Sequence, residues 1–401
     1  MEPRTRRTPP RRRLAALTAA TLALLVAACG DADEATPATT ADQASPATTD
    51  TAATDTADTA ATDTGEAAPG AAIGDERCEA NRSAGTITYI SSFDFAAAAS
   101  ILDVVVADAE GFFDELCLEV EMLPGFAPSN GVLVAEGQGQ ISSAGSFGEL
   151  VNTNVRGDAD LVAVGQYGKT AIEALVVPAD GPVQDLTDLR GTVVGIKGDL
   201  PYSIQTMLGR AGVERGSFDE LFLDGFDPVA HLDLGVDALP VYKSNEPAQL
   251  DAAGVDYRLF DPLDTDVPAS FGVFFTSRDF ADEHPTAVQD FLRAAFRGFA
   301  FGVEQPEVAV GHAFDRIDAA GNPNFFSTEG EGFRWMTEAD LVMGSTPAGT
   351  GPGVLDLDRL GAEIEALTEV GVFDEVPDWR SMVAPEVADE LYDGDQLRWP
   401  S

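Results

Sequence analysis

Residues 86–125 read TITYISSFDFAAAASILDVVVADAEGFFDELCLEVEMLPG, and this stretch decides the fold class. Thr86–Ile90 alternates apolar and polar positions and is rich in β-forming residues, which predicts a strand. Ala96–Glu110 predicts a helix, because its branched aliphatic residues are spaced to form one apolar face. Leu118–Met122 predicts a second strand. Strand, helix and strand in this order form a βαβ unit, which implies parallel strands with a helix on one face of the sheet.

The loop after the first strand carries the first candidate binding residues. It reads Ser91-Ser92-Phe93-Asp94-Phe95. Ligands of open α/β sheets bind outside the carboxyl ends of the strands. Hydroxyl, carboxylate and aromatic groups at such an edge suit a small polar ring, so we expect Ser92, Asp94 and Phe95 to contact it. The alternative is that the phenylalanines fill the core while the polar residues cap the helix.

The same stretch resembles a known family of binding proteins. Strand, Asp-aromatic loop and helix are followed by A-x-x-x-G-F-F-x-E-x-x-L-x-V-E at residues 107–121. This pattern is similar to the solute-binding proteins of ABC importers, in the branch of the thiamine-precursor (THI5/NMT1-like) and nitrate/sulfonate/taurine binders. The resemblance covers about Thr86–Pro306 and implies an α/β fold of periplasmic-binding-protein type II, with two lobes and a ligand cleft between them. It also implies that the ligand favours lobe closure and that the closed protein docks on a membrane permease.

The N-terminus predicts the compartment. Six arginines precede an apolar run, Leu14–Ala28, that is too short to span a bilayer and predicts a signal peptide. The run ends in Cys29-Gly30 and resembles a bacterial lipobox, so we expect Cys29 to be lipidated and the protein to be anchored on the outer face of the cell membrane. An ordinary cleaved, soluble product is the alternative. The expected division is a signal peptide at 1–28, a disordered Ala/Thr/Asp-rich tether at 29–77, lobe 1 at 78–177, lobe 2 at 178–270, and the return to lobe 1 with C-terminal helices at 271–401.

Cysteines, histidines and charge constrain the chemistry further. Cys78 and Cys117 each precede a predicted strand, and in an oxidising compartment we expect a disulfide between them, with a free buried pair as the alternative. The net charge of −44 argues against a nucleic-acid partner. The three histidines, His231, His284 and His312, are isolated from one another, so neither a metal site nor a cofactor is expected.

Three more candidates belong to lobe 1. Ser143 and Ser146 lie between a predicted strand and a helix that begins at Phe147, whose N-terminal N–H groups would face a ligand. Tyr167 follows the predicted strand Asp160–Gly165 and suits stacking, with a surface turn as the alternative. A hydrolase is not favoured, because Ala144 stands where a nucleophile elbow needs glycine.

The remaining candidates belong to lobe 2, which opens with the phrase DLTDLRGTVVGIK, typical of such lobes. Asp199 precedes a predicted helix, and Tyr202 is its first residue. The alternative is that Asp199 only caps the N-terminus of this helix. A later strand ends in Tyr242-Lys243-Ser244-Asn245-Glu246. This end resembles the aminopyrimidine binders, and Tyr242, Asn245 and Glu246 are therefore expected at the ligand. A carboxylate there would accept two parallel N–H bonds; alternatively Glu246 only opens a helix.

The resemblance therefore implies the binding component of an ABC importer, not an enzyme, with an aminopyrimidine thiamine precursor as the favoured ligand. We hypothesise that Phe95 and Tyr167 flank the ring while Asp94 and Glu246 hydrogen-bond it. The expected partners are the ligand, a permease and the lipid anchor, and a monomer is expected. The alternatives are a sulfonate or nitrate binder that uses Lys197 and Lys243, an extracytoplasmic sensor, or a pyrimidine-synthase-like enzyme, whose cysteine-rich motif the sequence lacks.

Overall fold

The computed structural model describes residues 72–320 and 327–400, and its β-sheets divide this part of the chain into two lobes. The predicted signal peptide, the lipidation of Cys29 and nearly all of the predicted tether lie outside the described residues. The end of that tether differs from the prediction. Ala72 N–H donates to the carbonyl of Glu115 (2.7 Å), Ile73 is buried, and residues from Asp75 onward form a helix.

The first part of lobe 1 alternates strands and helices. Its elements are α1 (Asp75–Arg82), β1 (Thr86–Ile90), α2 (Leu102–Ala109), α3 (Phe112–Glu115), β2 (Glu119–Leu123), α4 (Ala127–Ala135), β3 (Ile141–Ala144), α5 (Phe147–Gly157) and β4 (Leu161–Gly168). β1 and β2 pair in parallel from Thr86↔Glu119 to Ile90↔Leu123, which confirms the predicted βαβ unit.

Lobe 2 has its own smaller sheets. Its elements are β5 (Glu173–Pro178), β6 (Val193–Ile196), α6 (Tyr202–Arg210), β7 (Asp219–Phe222), α7 (Pro228–Asp233), β8 (Leu239–Tyr242), α8 (Glu246–Ala253) and β9 (Tyr257–Phe260), with short 3-10 helices at Leu186–Leu189 and Pro262–Thr265. The strand orders are β8-β5-β9 and β6-β7, and the bridge Val194↔Ala238 joins the two sheets. Because β5 already pairs with β8 and β9, the chain enters lobe 2 at residues 169–172, before the predicted crossing at Pro178.

The chain then returns to lobe 1. The last elements are β10 (Phe271–Ser277), α9 (Arg278–Glu283), α10 (Pro285–Glu304), α11 (Pro306–Ala320), α12 (Thr328–Ser345), α13 (Leu357–Glu369), α14 (Pro385–Asp389), β11 (Tyr392–Asp393) and β12 (Gln396–Leu397), with a 3-10 helix at Trp379–Met382. β10 inserts antiparallel between β3 and β4, so the lobe 1 sheet has the order β2-β1-β3-β10-β4. None of the helices in the described ranges has the length and apolarity that crossing a membrane requires.

The core of lobe 1 lies between its sheet and the helices α2 and α10. Gly298 of α10 allows the close approach, because a Cβ there would stand 2.0 Å from the Asp103 carbonyl oxygen of α2. Aromatic rings fill the space above β10, where Phe274 lies 6.4 Å from both Phe291 and Phe296, centroid to centroid. Each such buried ring contributes about 1.5–3 kcal/mol of transfer free energy.

A disulfide joins Cys78 of α1 to Cys117, the residue pair that the sequence predicts, with a Cα–Cα distance of 5.3 Å. It ties the N-terminal helix to the segment that leads into β2.

Candidate ligand-binding site

A cleft with a volume of about 360 Å³ lies between the lobes. It is lined by the loop after β1, the N-terminal ends of α5 and α6, the end of β8 and one face of α12. Six of the predicted binding residues line it: Ser92, Asp199, Tyr202, Tyr242, Asn245 and Glu246. The volume falls within the range of small-molecule sites.

The loop of residues 91–101, here called the opening loop, is shaped by a helix distant in sequence. The N–H groups of Ala97 and Ala99 donate to the carboxylates of Glu331 and Glu338 on α12, both at 2.8 Å. Ser100 adopts a left-handed conformation (φ 70°). The predicted helix start at Ala96 is therefore wrong, because these N–H groups are used by α12 and the helix begins only at Leu102.

Two predicted aromatic contacts lie in the core instead of the cleft. Tyr167 is fully buried, its hydroxyl donates to Asp103 Oδ2 (2.8 Å), and its ring stacks on Phe299 at 4.8 Å between centroids. The reason is that β4 continues to Gly168, so Tyr167 is a strand residue and not part of a loop. Phe95 is only 3% exposed and belongs to the same core. Neither ring flanks the cleft.

Three predicted polar contacts also lie outside the main cleft. Ser143 is fully buried, and its hydroxyl contacts the hydroxyls of Ser100 (2.9 Å) and Tyr89 (3.2 Å). Asp94 is half-buried in a left-handed conformation (φ 45°) and does not line the cleft. Ser146 caps α5 and lines a smaller pocket behind the cleft.

Seven aromatic residues line the cleft, and three of them, Phe93, Phe126 and Phe226, are here called the aromatic cluster; the others are Tyr202, Tyr242, Phe271 and Phe275. Phe93 of lobe 1 meets Phe226 of lobe 2 edge to face, with 5.3 Å between ring centroids, and lies 6.5 Å from Phe126. Phe126 is 48% exposed. The predicted contacts include none of the three. Phe93 lies in the candidate loop after β1, and the other two follow a glycine in a turn-like segment, LPGF and LDGF, which is a detectable signal.

Glu246 is held by the protein itself. Its side chain is 1% exposed, Oε2 accepts the Tyr242 N–H (2.8 Å), and Oε1 forms an ion pair with Lys197. The Lys197 ammonium also stands 5.4 Å from the Phe226 ring centroid. Both oxygens of Glu246 are thus engaged, and it opens α8, as the alternative proposed. A ligand that donated two parallel bonds to this residue would have to share both oxygens with these protein partners.

The N-terminus of α5, predicted to face a ligand, is filled by side chains. Gly145 and Gly148 donate their N–H groups to the carboxylates of Glu149 (3.0 Å) and Glu363 (2.8 Å). Phe147 N–H donates to the Ser270 hydroxyl (2.8 Å), and the Ser146 hydroxyl accepts from Glu149 N–H (3.2 Å). A helix N-terminus is a natural anion site, and here two carboxylates of the protein occupy it.

Asp199 and Tyr202 lie where α6 begins. Asp199 is exposed and pairs with Arg215 (2.6 Å), and the residue at the N-cap position of α6 is Pro201, so the alternative role of Asp199 as N-cap is wrong. Tyr202 is half-buried between the cleft and the smaller pocket.

Helix α12 supplies cleft residues that sequence reasoning missed. Glu338 accepts the Ser244 hydroxyl of lobe 2 (2.8 Å) in addition to the opening-loop N–H. Arg334 pairs with Glu331 (2.6 Å) and donates to Asn245 Oδ1 (3.1 Å). The spacing of Glu331, Arg334 and Glu338 places them on one face of the helix, but only the tertiary structure shows that this face contacts both lobes.

Carboxylates dominate the cleft. Glu149, Glu173, Asp199, Glu246 and Glu338 line it, and within the described chain the lining cations are Lys197 and Arg334, each paired with a carboxylate. Burial raises the pKa of Glu149 and of Glu338 to about 7, and it raises the pKa of Glu173 as well. Such a wall favours ligands that donate N–H bonds or carry positive charge.

Fold and cleft together define the class: the protein has the periplasmic-binding-protein fold, with a solute site between two α/β lobes. The NMT1/THI5-like family model matches residues 98–309, more than half of the chain, and the chain belongs to this family.

Two named relatives are binding proteins. The chain is 26% identical over 241 residues to the formylaminopyrimidine-binding protein of Halalkalibacterium halodurans, covering 58% of this chain and 72% of that protein. It is 29% identical over 143 residues to the riboflavin-binding protein RibY of Chloroflexus aurantiacus, covering 34% of this chain and 39% of RibY.

Solved structures share the fold at lower identity. The aliphatic sulphonate binding protein SsuA of Escherichia coli superposes with a TM-score of 0.57 at 15% identity, covering 78% of this chain and 96% of SsuA. The desulfurization enzyme DszB superposes with a TM-score of 0.51 at 16% identity, covering 76% of this chain and 98% of that enzyme. These likenesses describe the fold and leave the ligand open.

Proposed function

We propose that this protein is the solute-binding component of an ABC importer and that it captures a small planar heterocycle bearing amino groups. The observation that carries the proposal is the composition of the cleft, which places an aromatic cluster beside carboxylates that outnumber their cations. Aromatic faces bind a planar ring, and carboxylates accept the N–H groups at its edge. Formylaminopyrimidine, which gives one relative its name, has this chemistry.

An anionic ligand fits the cleft less well. The lining cations, Lys197 and Arg334, already hold carboxylates. Lys243 pairs with Asp261 (2.8 Å) and does not line the cleft. The N–H groups at the α5 N-terminus are also satisfied. A sulfonate or nitrate would have to displace these bonds and would meet a negative field, which costs binding free energy.

Location and partners follow from the proposed class. We propose an extracytoplasmic protein anchored by lipid at Cys29, which delivers its ligand to a membrane permease. The disulfide supports this location, because such bonds persist in oxidising compartments.

We propose binding without catalysis, although an enzyme shares the fold. In the described part of the chain, both cysteines are held in the disulfide, so they offer no thiolate nucleophile. An extracytoplasmic sensor would use the same cleft, and would differ in lacking a cognate permease.

Isothermal calorimetry with the purified protein tests the ligand class. The panel is formylaminopyrimidine, an aminopyrimidine alcohol, riboflavin, an alkanesulfonate and nitrate. We expect an amino-bearing heterocycle to bind, and the variant Phe226→Ala to weaken it by about 1 kcal/mol or more. Phe222→Ala is the matched control, because this ring is 71% exposed and lies outside the cleft. Binding of the sulfonate or nitrate alone would overturn the proposal.

A further inference from the structure

A second, smaller pocket continues the cleft into the protein. Its volume is about 10 Å³, enough for one water-sized group. Glu173 and Tyr202 line both spaces, so they mark the point where the pocket opens from the cleft. We call this space the inner pocket.

The polar side chains of the inner pocket are acids and hydroxyls. They are Ser146, Glu173, Tyr202, Ser203, Ser270 and Glu363, together with Thr206. No lysine or arginine in the described residues lines it. Glu173 Oε2 accepts the Ser203 hydroxyl (2.8 Å), and a carboxylate has about four acceptor sites, so capacity remains for a donor from a ligand.

Glu363 provides the independent sign that this pocket is built for a ligand group. The residue is 3% exposed, and Oε1 accepts the Gly148 N–H at 2.8 Å. Its other oxygen, Oε2, has no hydrogen-bond partner within 3.5 Å, although the Ser270 hydroxyl is near enough to favour the charged form. A buried carboxyl oxygen without a bond is costly, and an N–H donor placed in the pocket would satisfy it.

We propose that the inner pocket is an ammonium subsite, which receives the protonated primary amino group of a ligand whose ring lies in the cleft. This inference rests on the proposed function and narrows it to heterocycles that carry an aminomethyl-type substituent. An –NH₃⁺ group has the size of a water molecule and offers three donors. Glu363 Oε2, Glu173 and a hydroxyl oxygen supply the acceptors for them.

Binding in this pocket should also release protons. Several titratable and charged groups bear on it: Glu363 from α13, Glu149 and Arg156 from α5, Glu173 from β5, Asp199 and Tyr202 at the start of α6, Arg215, and Tyr242 and Lys243 at the end of β8. Burial raises the pKa of all three carboxyls, and neighbouring carboxylates raise those of Glu149 and Glu363 further, to about 7 and about 8. Glu363, and in part Glu149, therefore hold protons at neutral pH. An entering cation favours the carboxylate form and displaces them.

The test compares two matched ligands by calorimetry near pH 7, in phosphate and in Tris buffer. One is an aminopyrimidine with an aminomethyl group, and the other is the corresponding hydroxymethyl compound. We expect the amine to bind at least about tenfold more tightly and, unlike the alcohol, to release protons, seen as a buffer-dependent enthalpy. Glu363→Gln should abolish both this preference and the proton release. Glu365→Gln, an exposed residue on the same helix, is the control.

Methylammonium alone separates the two proposals. If neither pyrimidine binds but methylammonium still releases protons in the wild type and not in Glu363→Gln, the proposed heterocycle fails and the subsite stands. If both pyrimidines bind equally, or if Glu363→Gln keeps the preference for the amine, the subsite is refuted. If none of the three probes binds, the subsite is overturned, and the calorimetric panel described above decides the proposed function separately.

Discussion

Replacing Glu363 by glutamine should change how the stability of the protein depends on pH. Burial, assisted by the negative charges of Glu173 and Glu149, raises the pKa of Glu363 from 4.5 to about 8. Because the folded state then binds the proton more tightly than the unfolded chain, this stabilisation is complete below pH 4.5 and is lost as the pH rises towards 8. One pKa unit corresponds to about 1.4 kcal/mol, so from pH 4.5 to pH 7 the wild type loses about 3 kcal/mol through this residue. Glutamine does not titrate, and its amide oxygen still accepts the Gly148 N–H.

Urea unfolding of the wild type and Glu363→Gln between pH 4.5 and 8 measures this effect. We expect the free energy of unfolding of the variant, relative to the wild type, to increase by about 3 kcal/mol over the lower part of that range. Glu365→Gln should follow the wild-type curve, because that residue is exposed. Parallel curves for Glu363→Gln and the wild type would refute the reasoning, since they would mean that Glu363 titrates alike in the folded and unfolded states.

Three further substitutions probe other contacts. Replacing Cys78 and Cys117 by serine removes a cross-link between positions 39 residues apart, and chain entropy predicts a loss of about 4 kcal/mol in urea unfolding; an unchanged midpoint would contradict it. Ser244→Ala removes the hydroxyl that joins lobe 2 to Glu338. Small-angle scattering should then show a more open protein, and ligand affinity should fall by about 0.5–1.5 kcal/mol. An unchanged radius of gyration and an unchanged ligand affinity would show that this contact does not hold the lobes together. Glu246→Gln should lower the free energy of unfolding by about 1.5–3 kcal/mol, because the ion pair with Lys197 is lost. Weaker ligand binding with unchanged stability would contradict this and would indicate that Glu246 contacts the ligand directly.

Local periodicity explains why the first half of lobe 1 could be predicted. The alternation in Thr86–Ile90 and the helix after it depend on neighbours within a few residues, and the parallel pairing follows from the short crossover. The lobe to which the strand Glu173–Pro178 belongs could not be predicted in the same way. Its apolar run fits either sheet, and its partners in β8 and β9 lie more than 60 residues further along the chain. Only the tertiary pairing decides that the lobes divide before this strand.

The residues of the candidate site were even harder to predict from the local sequence. Tyr167 and Glu246 both carry side chains suited to a ligand, and nothing in their immediate sequence distinguishes a core residue from a cleft residue. What decides their roles is a partner distant in sequence: Asp103 for Tyr167 and Lys197 for Glu246, at separations of 64 and 49 residues. Glu331 and Glu338 reach the opening loop across separations of 234 and 239 residues. Local propensity cannot predict such contacts, because they depend on how whole helices dock.

These distant carboxylates explain how this fold can suit ligands that donate hydrogen bonds. The cleft holds two sets of backbone N–H groups that an anion would be expected to use, at the N-terminus of α5 and in the opening loop. Glu149 and Glu363 occupy the first set, and Glu331 and Glu338 occupy the second. An anion entering the cleft would therefore have to replace bonds between N–H groups and carboxylates that are already formed, whereas a cationic or amino-bearing ligand adds bonds to acceptors that remain open. We therefore propose that the side chains occupying those N–H groups set the ligand class of this chain, and a shared fold with sulfonate-binding proteins does not transfer their ligand to it.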